Sequence, residues 1–307
     1  MDFINREKQR LSLIKKNDMK IEESGVWRLK KRPHILPDEY KNRVFLDGLT
    51  LPEIQFHKCY HHLNSSQSLC INFFQKFRQS NDGEKYLKEL IGRIIGIDTK
   101  NLSIESEFEY KPEKDSDGTY FDFFVRLSNG IRVFFEIKYT ESTFGGLSKK
   151  PSGYDSYDEK YSKVHKSILS KSLDMQNMNP DDFYGKNRES GNVYQIHRNI
   201  MHIQSTSDYV VFLYPFENEK LHKHIKNYLE SGSVKKRTER DSGFDDLSGQ
   251  KTQGLEDAPS YPVKKYKNVF LRDWRDVWKE AADICKNDND YKDYYDSFAK
   301  RYPFVRD

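Results

Sequence analysis

The chain has 307 residues, 36% hydrophobic, 33% charged and 14% aromatic, with a formal net charge of +4. That composition excludes a disordered chain, and the length allows one large domain or two modest ones. No stretch reaches the ~18 apolar residues of a membrane span, so no membrane partner is expected, and the small positive charge suits nucleic acid only if the basic residues cluster. Cys59, Cys70 and Cys285 are an odd, sparse set that fits a reducing compartment better than a disulfide framework. The opening MDFINREKQRLSLIKKND has no long apolar run of the signal-peptide kind. A cytoplasmic location is therefore expected.

Residues 1–83 read as an extension packed on the core: a mixed-charge helix, a proline-containing loop from Trp27 to Phe45, and an amphipathic helix in SSQSLCINFFQKF. In that helix Leu69, Phe73, Phe74 and Phe77 recur at helical spacing, and Ser65 or Ser66 can cap its start. The core is expected over 84–230. It opens with the helix GEKYLKELIGRIIG, whose stripe is Leu87, Leu90, Ile91, Ile94 and Ile95 and whose stop is Gly96. A strand around Ile104, Phe108 and Tyr110 follows, then a hairpin from Thr119 to Glu141. Residues 142–190 form an insertion with a helical run from about Asp158 to Met175. NVYQIHRNIMHIQ is a helix, SDYVVFLYPF is a strand buried on both faces, and NEKLHKHIKNYLESG is a helix. Residues 231–262 have few apolar positions and are expected to be an exposed, mobile loop. Residues 263–307 close the chain with a strand leading into a helix. The order from Glu84 is αβββαβ, which predicts a mixed central sheet flanked by helices, an α/β (α+β) fold.

The hairpin carries the chemistry. In TYFDFFVRLSNGIRVFFEIKYTE, Phe121, Phe123, Val125 and Leu127 share one face, as do Ile131, Val133, Phe135 and Ile137. A two-residue Asn-Gly loop sets Phe123 opposite Glu136 and mixes the faces, which a buried hairpin does not tolerate. A three-residue loop, Ser128-Asn129-Gly130, with Gly130 left-handed in a bulge, restores parity. Asp122 then faces Glu136 with Cβ atoms about 5 Å apart, and Lys138 follows on the same face. Arg126 opposes Arg132 near the turn, where solvent weakens the repulsion. Two opposed carboxylates are destabilising unless something binds them, and a hard divalent cation does so. The competing explanation is solvated polar residues at a strand end, with Lys138 pairing one carboxylate. It leaves the clustering at one end unexplained.

Asp122 followed by Glu136-Ile137-Lys138 on the next strand, within the αβββαβ order, resembles the PD-(D/E)XK nuclease superfamily, the restriction-endonuclease-like fold. The likeness spans about Glu84 to Phe216 and is nearest to bacterial restriction endonucleases with an FFEIKYTE-type motif; SSQSLCINFF is also similar to that group. Phe121 stands where the motif has proline. The resemblance implies that Asp122, Glu136 and the Ile137 carbonyl hold Mg²⁺, for which Mn²⁺ can substitute, and that Lys138 positions or activates the attacking water. It implies double-stranded DNA as the partner, and two-strand cutting makes a homodimer an expectation. The rivals are a catalytically silent nucleic-acid-binding module of the same fold, a nuclease for RNA or for single-stranded or branched DNA, and a scaffold for a partner complex.

Secondary candidates remain. Glu84, seven residues before Ile91, is a further metal carboxylate if it points to the sheet, or a capping-box residue with Asn81. Gln195, Arg198 and Asn199 are substrate-binding candidates; Gln195 and Asn199 share a face at i and i+4. Tyr139 falls on the apolar face, and Glu141 at the strand end reaches a ligand or a lysine. His57, Cys59, His61, His62 and Cys70 cluster, but their spacing matches no standard zinc finger. Lys149, Lys150, Lys160, Lys163, Lys166 and Lys171 concentrate positive charge in the insertion, suited to DNA phosphates or to ordinary solvated surface.

Overall fold

A hairpin with two apolar faces must be covered on both, and the architecture answers that demand with helices on each side of one sheet. The computed structural model describes residues 2–13, 54, 62–79, 81–112, 119–147, 150–151, 153–185, 193–230, 261–263 and 266–306. The elements are α1 (Phe3–Leu13), α2 (Ser66–Phe74), α3 (Asn81–Ile95), β1 (Ile104–Tyr110), β2 (Phe121–Leu127), β3 (Arg132–Ile137), α4 (Tyr194–Ile200), β4 (Asp208–Tyr214), α5 (Glu219–Glu230), β5 (Tyr261–Val263), β6 (Tyr266–Asp273), α6 (Trp274–Ile284) and α7 (Asn289–Arg301). The run α3-β1-β2-β3-α4-β4 is the expected αβββαβ order. The six strands lie in the order β1-β2-β3-β4-β6-β5. β1, β2 and β3 are antiparallel neighbours, β3-β4 and β4-β6 are parallel, and β5 is antiparallel to β6. This is a mixed sheet flanked by helices, consistent with an α+β restriction-endonuclease-like fold.

One core layer holds Phe123, Val125, Val133, Phe135 and Ile137 of the sheet against α2, α3, α6 and α7. The other holds Phe124, Phe134, Val210 and Phe212 against α4 and α5. α2 is not the amphipathic helix its sequence suggests: every residue from Gln67 to Phe74 is buried. Its polar residues are buried with partners. Gln67 reaches Glu109 and the Asn72 amide donates to the Tyr302 hydroxyl at 2.9 Å. Ser65 caps the helix by accepting from the Ser68 N–H. The cover on its far side comes from α7, more than 200 residues along the chain, which no local pattern reveals. α1 docks through Phe3 and Leu11, and its buried Glu7 accepts a 2.8 Å hydrogen bond from the Tyr139 hydroxyl.

The hairpin turns as the parity argument requires. Gly130 has φ +86°, its N–H donates to the Leu127 carbonyl, and the Leu127 N–H donates to the Ile131 carbonyl, both at 2.9 Å. Phe123 pairs with Phe135, Phe124 with Phe134, and Arg126 with Arg132. The arginine pair is not left to solvent. Arg132 grips the buried Asp208 with two bonds of 2.6 and 2.8 Å, while Arg126 lies 3.8 Å from Glu105.

The face assignment fails at one point. Phe121 does not share a layer with Phe123 but packs in the opposite one, 4.8 Å from Phe134. β1 switches with it: Phe108, opposite Phe123, lies in the first layer, while Tyr110, opposite Phe121, stacks on Phe124 at 3.8 Å in the second. Between them Glu109 has φ +51°, the only positive-φ residue other than glycine among the described residues. A left-handed residue rotates a strand out of its two-residue alternation, and here two strands turn over together at Glu109 and Asp122.

Three further expectations change. The helical run of the insertion ends at Leu169, not Met175, and contains a π-type turn over Tyr161–His165. The start of α3 presents Gly83, not Glu84, to its neighbours: Gly83 is buried and Glu84 exposed. The last part of the expected 231–262 loop, Tyr261 and Pro262, is strand β5. Residues 231–260, the Trp27–Phe45 loop, His57, Cys59, His61 and Lys149 lie outside the described residues.

Candidate active site

The turnover of β1 and β2 determines what lies at the end of the hairpin. The β2-β3 ladder stops at Phe123 and Phe135. Beyond it the Asp122 side chain, rather than its backbone, takes the next N–H: Ile137 N donates to Asp122 Oδ2 at 2.6 Å. Glu136 stays in the parallel pairing beside Phe212 of β4 and is 1% exposed. Its Oε1 accepts from Lys138 Nζ at 2.5 Å and from Gln195 Nε2 at 2.7 Å, and its Oε2 accepts from Asn199 Nδ2 at 2.8 Å. Asp122, Glu136 and Lys138 are thus brought together as expected. Asp122 sits beside the Ile137 amide rather than in a regular pair opposite Glu136.

Lys138 is fixed along its backbone. Its N–H donates to the Leu213 carbonyl at 3.0 Å, and its carbonyl accepts from the Trp274 indole at 3.3 Å. The next residues complete the strand end. Tyr139 is buried, and its N–H donates to Glu141 Oε2 at 2.7 Å. Glu141 turns back on its own strand and contributes negative potential at Lys138.

A third carboxylate stands here that sequence reasoning missed. Glu109 of β1 lies between the Phe108-Phe123 and Tyr110-Phe121 pairs, across from Asp122. Gln67 Nε2 donates to its Oε1 at 2.8 Å. Neither stands out in the sequence, where Gln67 follows the serines at the start of α2 and Glu109 lies between Phe108 and Tyr110. The only available signal was the acidic ESEFE pattern beside a hairpin that already carried two acids.

The electrostatics follow from crowding. Burial, with Glu136 and Glu109 nearby, pushes the Asp122 carboxyl well above its ordinary range, against the opposing pull of Lys138 and the Ile137 N–H. Burial, helped by Glu136, pushes Glu109 up to about 7, although Gln67 and Lys138 oppose it. Burial pulls Lys138 down, but Glu136, Asp122 and Glu141 more than offset it, so the ammonium is held protonated. Three carboxylates therefore share one lysine.

The other candidates are placed as follows. Glu84 is on the exposed side of α3, so it does not point toward the sheet as expected. Arg198 stacks over the Tyr194 ring at 5.6 Å, while Gln195 and Asn199 turn to Glu136. Cys70 is buried with its thiol 3.5 Å from the Asp122 carbonyl. Of the insertion lysines, Lys150, Lys163, Lys166 and Lys171 are exposed, and Lys160 is buried. Lys163 pairs with Glu159 at 2.5 Å. No helix of the described residues is long and apolar enough to cross a membrane.

Among the described residues, no group of three or more His, Cys, Asp or Glu side chains is set to hold a metal ion by itself. A hard cation such as Mg²⁺ needs less than that: one or two carboxylates, waters and substrate phosphate oxygens. Asp122 and Glu136 supply hard oxygens of that kind, in surroundings where negative charge is under-neutralised. The donor chemistry therefore fits a hard divalent cation.

In comparison with known proteins, the family model described as restriction endonuclease associating with ARP matches residues 7–303. No curated protein and no solved structure matches the chain.

Proposed function

Because the chain belongs to this restriction endonuclease family, we propose that it is a Mg²⁺-dependent endodeoxyribonuclease of the PD-(D/E)XK type, acting on double-stranded DNA in restriction or defence. The observation that carries the reading is the meeting of Asp122, Glu136 and Lys138 where β2 and β3 end, with two acids crowded beside one ammonium.

Asp122, Glu136 and the Ile137 carbonyl would hold the cation; when bound, Mg²⁺ stabilises charge on the phosphate and lowers the pKa of its water. Asp122 is oriented for this by the Ile137 N–H, which fixes one oxygen. Glu136 is held by three donors. Lys138 enters as an ammonium, because the surrounding carboxylates keep its proton on. Its role is then to orient the attacking water and to offset charge developing on the phosphate, rather than to remove a proton. The exposed lysines of the insertion give that segment the charge to lie along a phosphate backbone.

The test is cleavage of plasmid DNA by the full chain with Mg²⁺ and with Mn²⁺, beside Asp122→Ala and Lys138→Ala. Wild type should nick or linearise the plasmid and both variants should not. Failure of wild type on duplex DNA, single-stranded DNA and RNA with either metal would remove the enzyme reading. Cleavage of only the latter two would move the substrate.

A further inference from the structure

A carboxylate that must hold a cation faces two requirements. It needs a fixed orientation, and it must keep its charge. A lysine or arginine partner meets the first while cancelling the second. A neutral amide donor meets both. Beside Lys138, which shares Oε1 at 2.5 Å, Glu136 has two such donors on one helix face: Gln195 on Oε1 at 2.7 Å and Asn199 on Oε2 at 2.8 Å. Both come from α4 one turn apart, and Asn199 is fully buried.

Gln195 is itself backed by the chain leaving β3. Gly145 has φ +89°, and a Cβ built on it would lie 2.7 Å from Gln195 Oε1. A side chain at 145 therefore has to displace the amide whose other end reaches Glu136. Glycine there meets two demands at once, the left-handed backbone and the close approach.

Resting on the metal-dependent reading above, we propose that Gln195 and Asn199 are positioning residues that clamp Glu136, and that Gly145 seats Gln195 in the clamp. The two amides then orient the carboxylate without contacting DNA. The start of the insertion is tied to the site through this glycine-amide contact.

The test uses the full chain with Gln195→Ala, Asn199→Ala, Gly145→Ala and the double variant Gly145→Ala/Gln195→Ala. Mn²⁺ affinity is measured by titration calorimetry, kcat and KM on plasmid DNA, and folding by thermal melting. Each amide variant should bind Mn²⁺ about 10–100-fold more weakly and lose kcat with KM for DNA unchanged. Gly145→Ala should reproduce Gln195→Ala, and the double variant should be no worse than Gln195→Ala alone. Wild-type Mn²⁺ affinity in the amide variants, with a raised KM, would overturn the proposal by making them DNA contacts. Additive losses in the double variant would overturn the role of Gly145. If Gly145→Ala does not fold, the two amide variants still decide the clamp. A wild type that binds no Mn²⁺ and cuts nothing would sink the nuclease reading as well, whereas a wild type that binds and cuts alongside unaffected variants sinks only the clamp.

Discussion

The two ends of one hairpin solve the same electrostatic problem in opposite ways. At the turn end, Arg126 opposes Arg132, and the protein neutralises the clash. Asp208, fully buried, takes both bonds of the Arg132 fork and also accepts from the Gln204 and Ser205 N–H groups at 3.0 and 2.9 Å. At the open end, Glu109, Asp122 and Glu136 crowd together with Lys138 as their cation, and the remaining donors are neutral amides. Compensated like charges are scaffolding. Under-compensated like charges cost stability, and on the proposed function that cost is kept as affinity for a cation.

That contrast can be broken or sharpened by substitution. The largest effect should be on catalysis at the open end: Lys138→Ala should lower kcat on DNA about a thousandfold, roughly 4 kcal/mol of barrier. Unchanged turnover would show that the open end is no more functional than the turn. Next comes the turn end, where Asp208→Ala strands Arg132 and two backbone donors. Urea unfolding should report about 3 kcal/mol lost, with no specific loss of cation binding.

The third effect is a pH dependence. Glu109 is pushed up to about 7 by burial first and then by Glu136, against an ordinary value of 4.5. The folded chain therefore keeps a proton that the unfolded chain releases between those values. In EDTA, this group makes stability fall as the pH rises from about 4.5 to about 7, and Asp122, also pushed up, adds a decline of the same sign. Glu109→Gln should make this decline shallower and leave the variant more stable at pH 8 by on the order of 1–2 kcal/mol. A slope as steep in the variant as in wild type would assign the titration elsewhere. The smallest effect belongs to Arg126→Ala, which removes an exposed 3.8 Å pairing with Glu105. It should cost under about 0.5 kcal/mol, and a larger loss would mean the arginine clash is relieved in another way.

Much of this hairpin could be read from its sequence because face parity is a strict constraint: it selects the three-residue loop, places Gly130 in the left-handed region and aligns Phe124 with Phe134. The same register points to the trio Asp122, Glu136 and Lys138, although the ladder stops at Phe123 and Phe135 and Asp122 sits beside the Ile137 amide instead of pairing with Glu136. Parity fails where a backbone leaves the β region, and nothing in the letters ESEFEY marks Glu109 as left-handed. Gln67 could not be linked to the site from sequence because its partner lies on a strand 42 residues away. Glu84 was misread through helix phase, since the inward stripe of α3 runs through Gly83 and Leu87. β5 is three residues long and gains its identity from pairing with β6, which local propensity does not show.

The backbone of Lys138 is held by Leu213 on one side and by Trp274 on the other, and the neighbouring Tyr139 is tied to Glu7. The lysine therefore depends on elements from near both ends of the chain. During synthesis, the ribosome must release α6 before the carbonyl of Lys138 can find its donor. Contacts so distant in sequence form late. A nascent chain that already carries Asp122, Glu136 and Lys138 would thus still lack the finished strand end, and the order of synthesis itself would delay the assembly of the proposed catalytic centre.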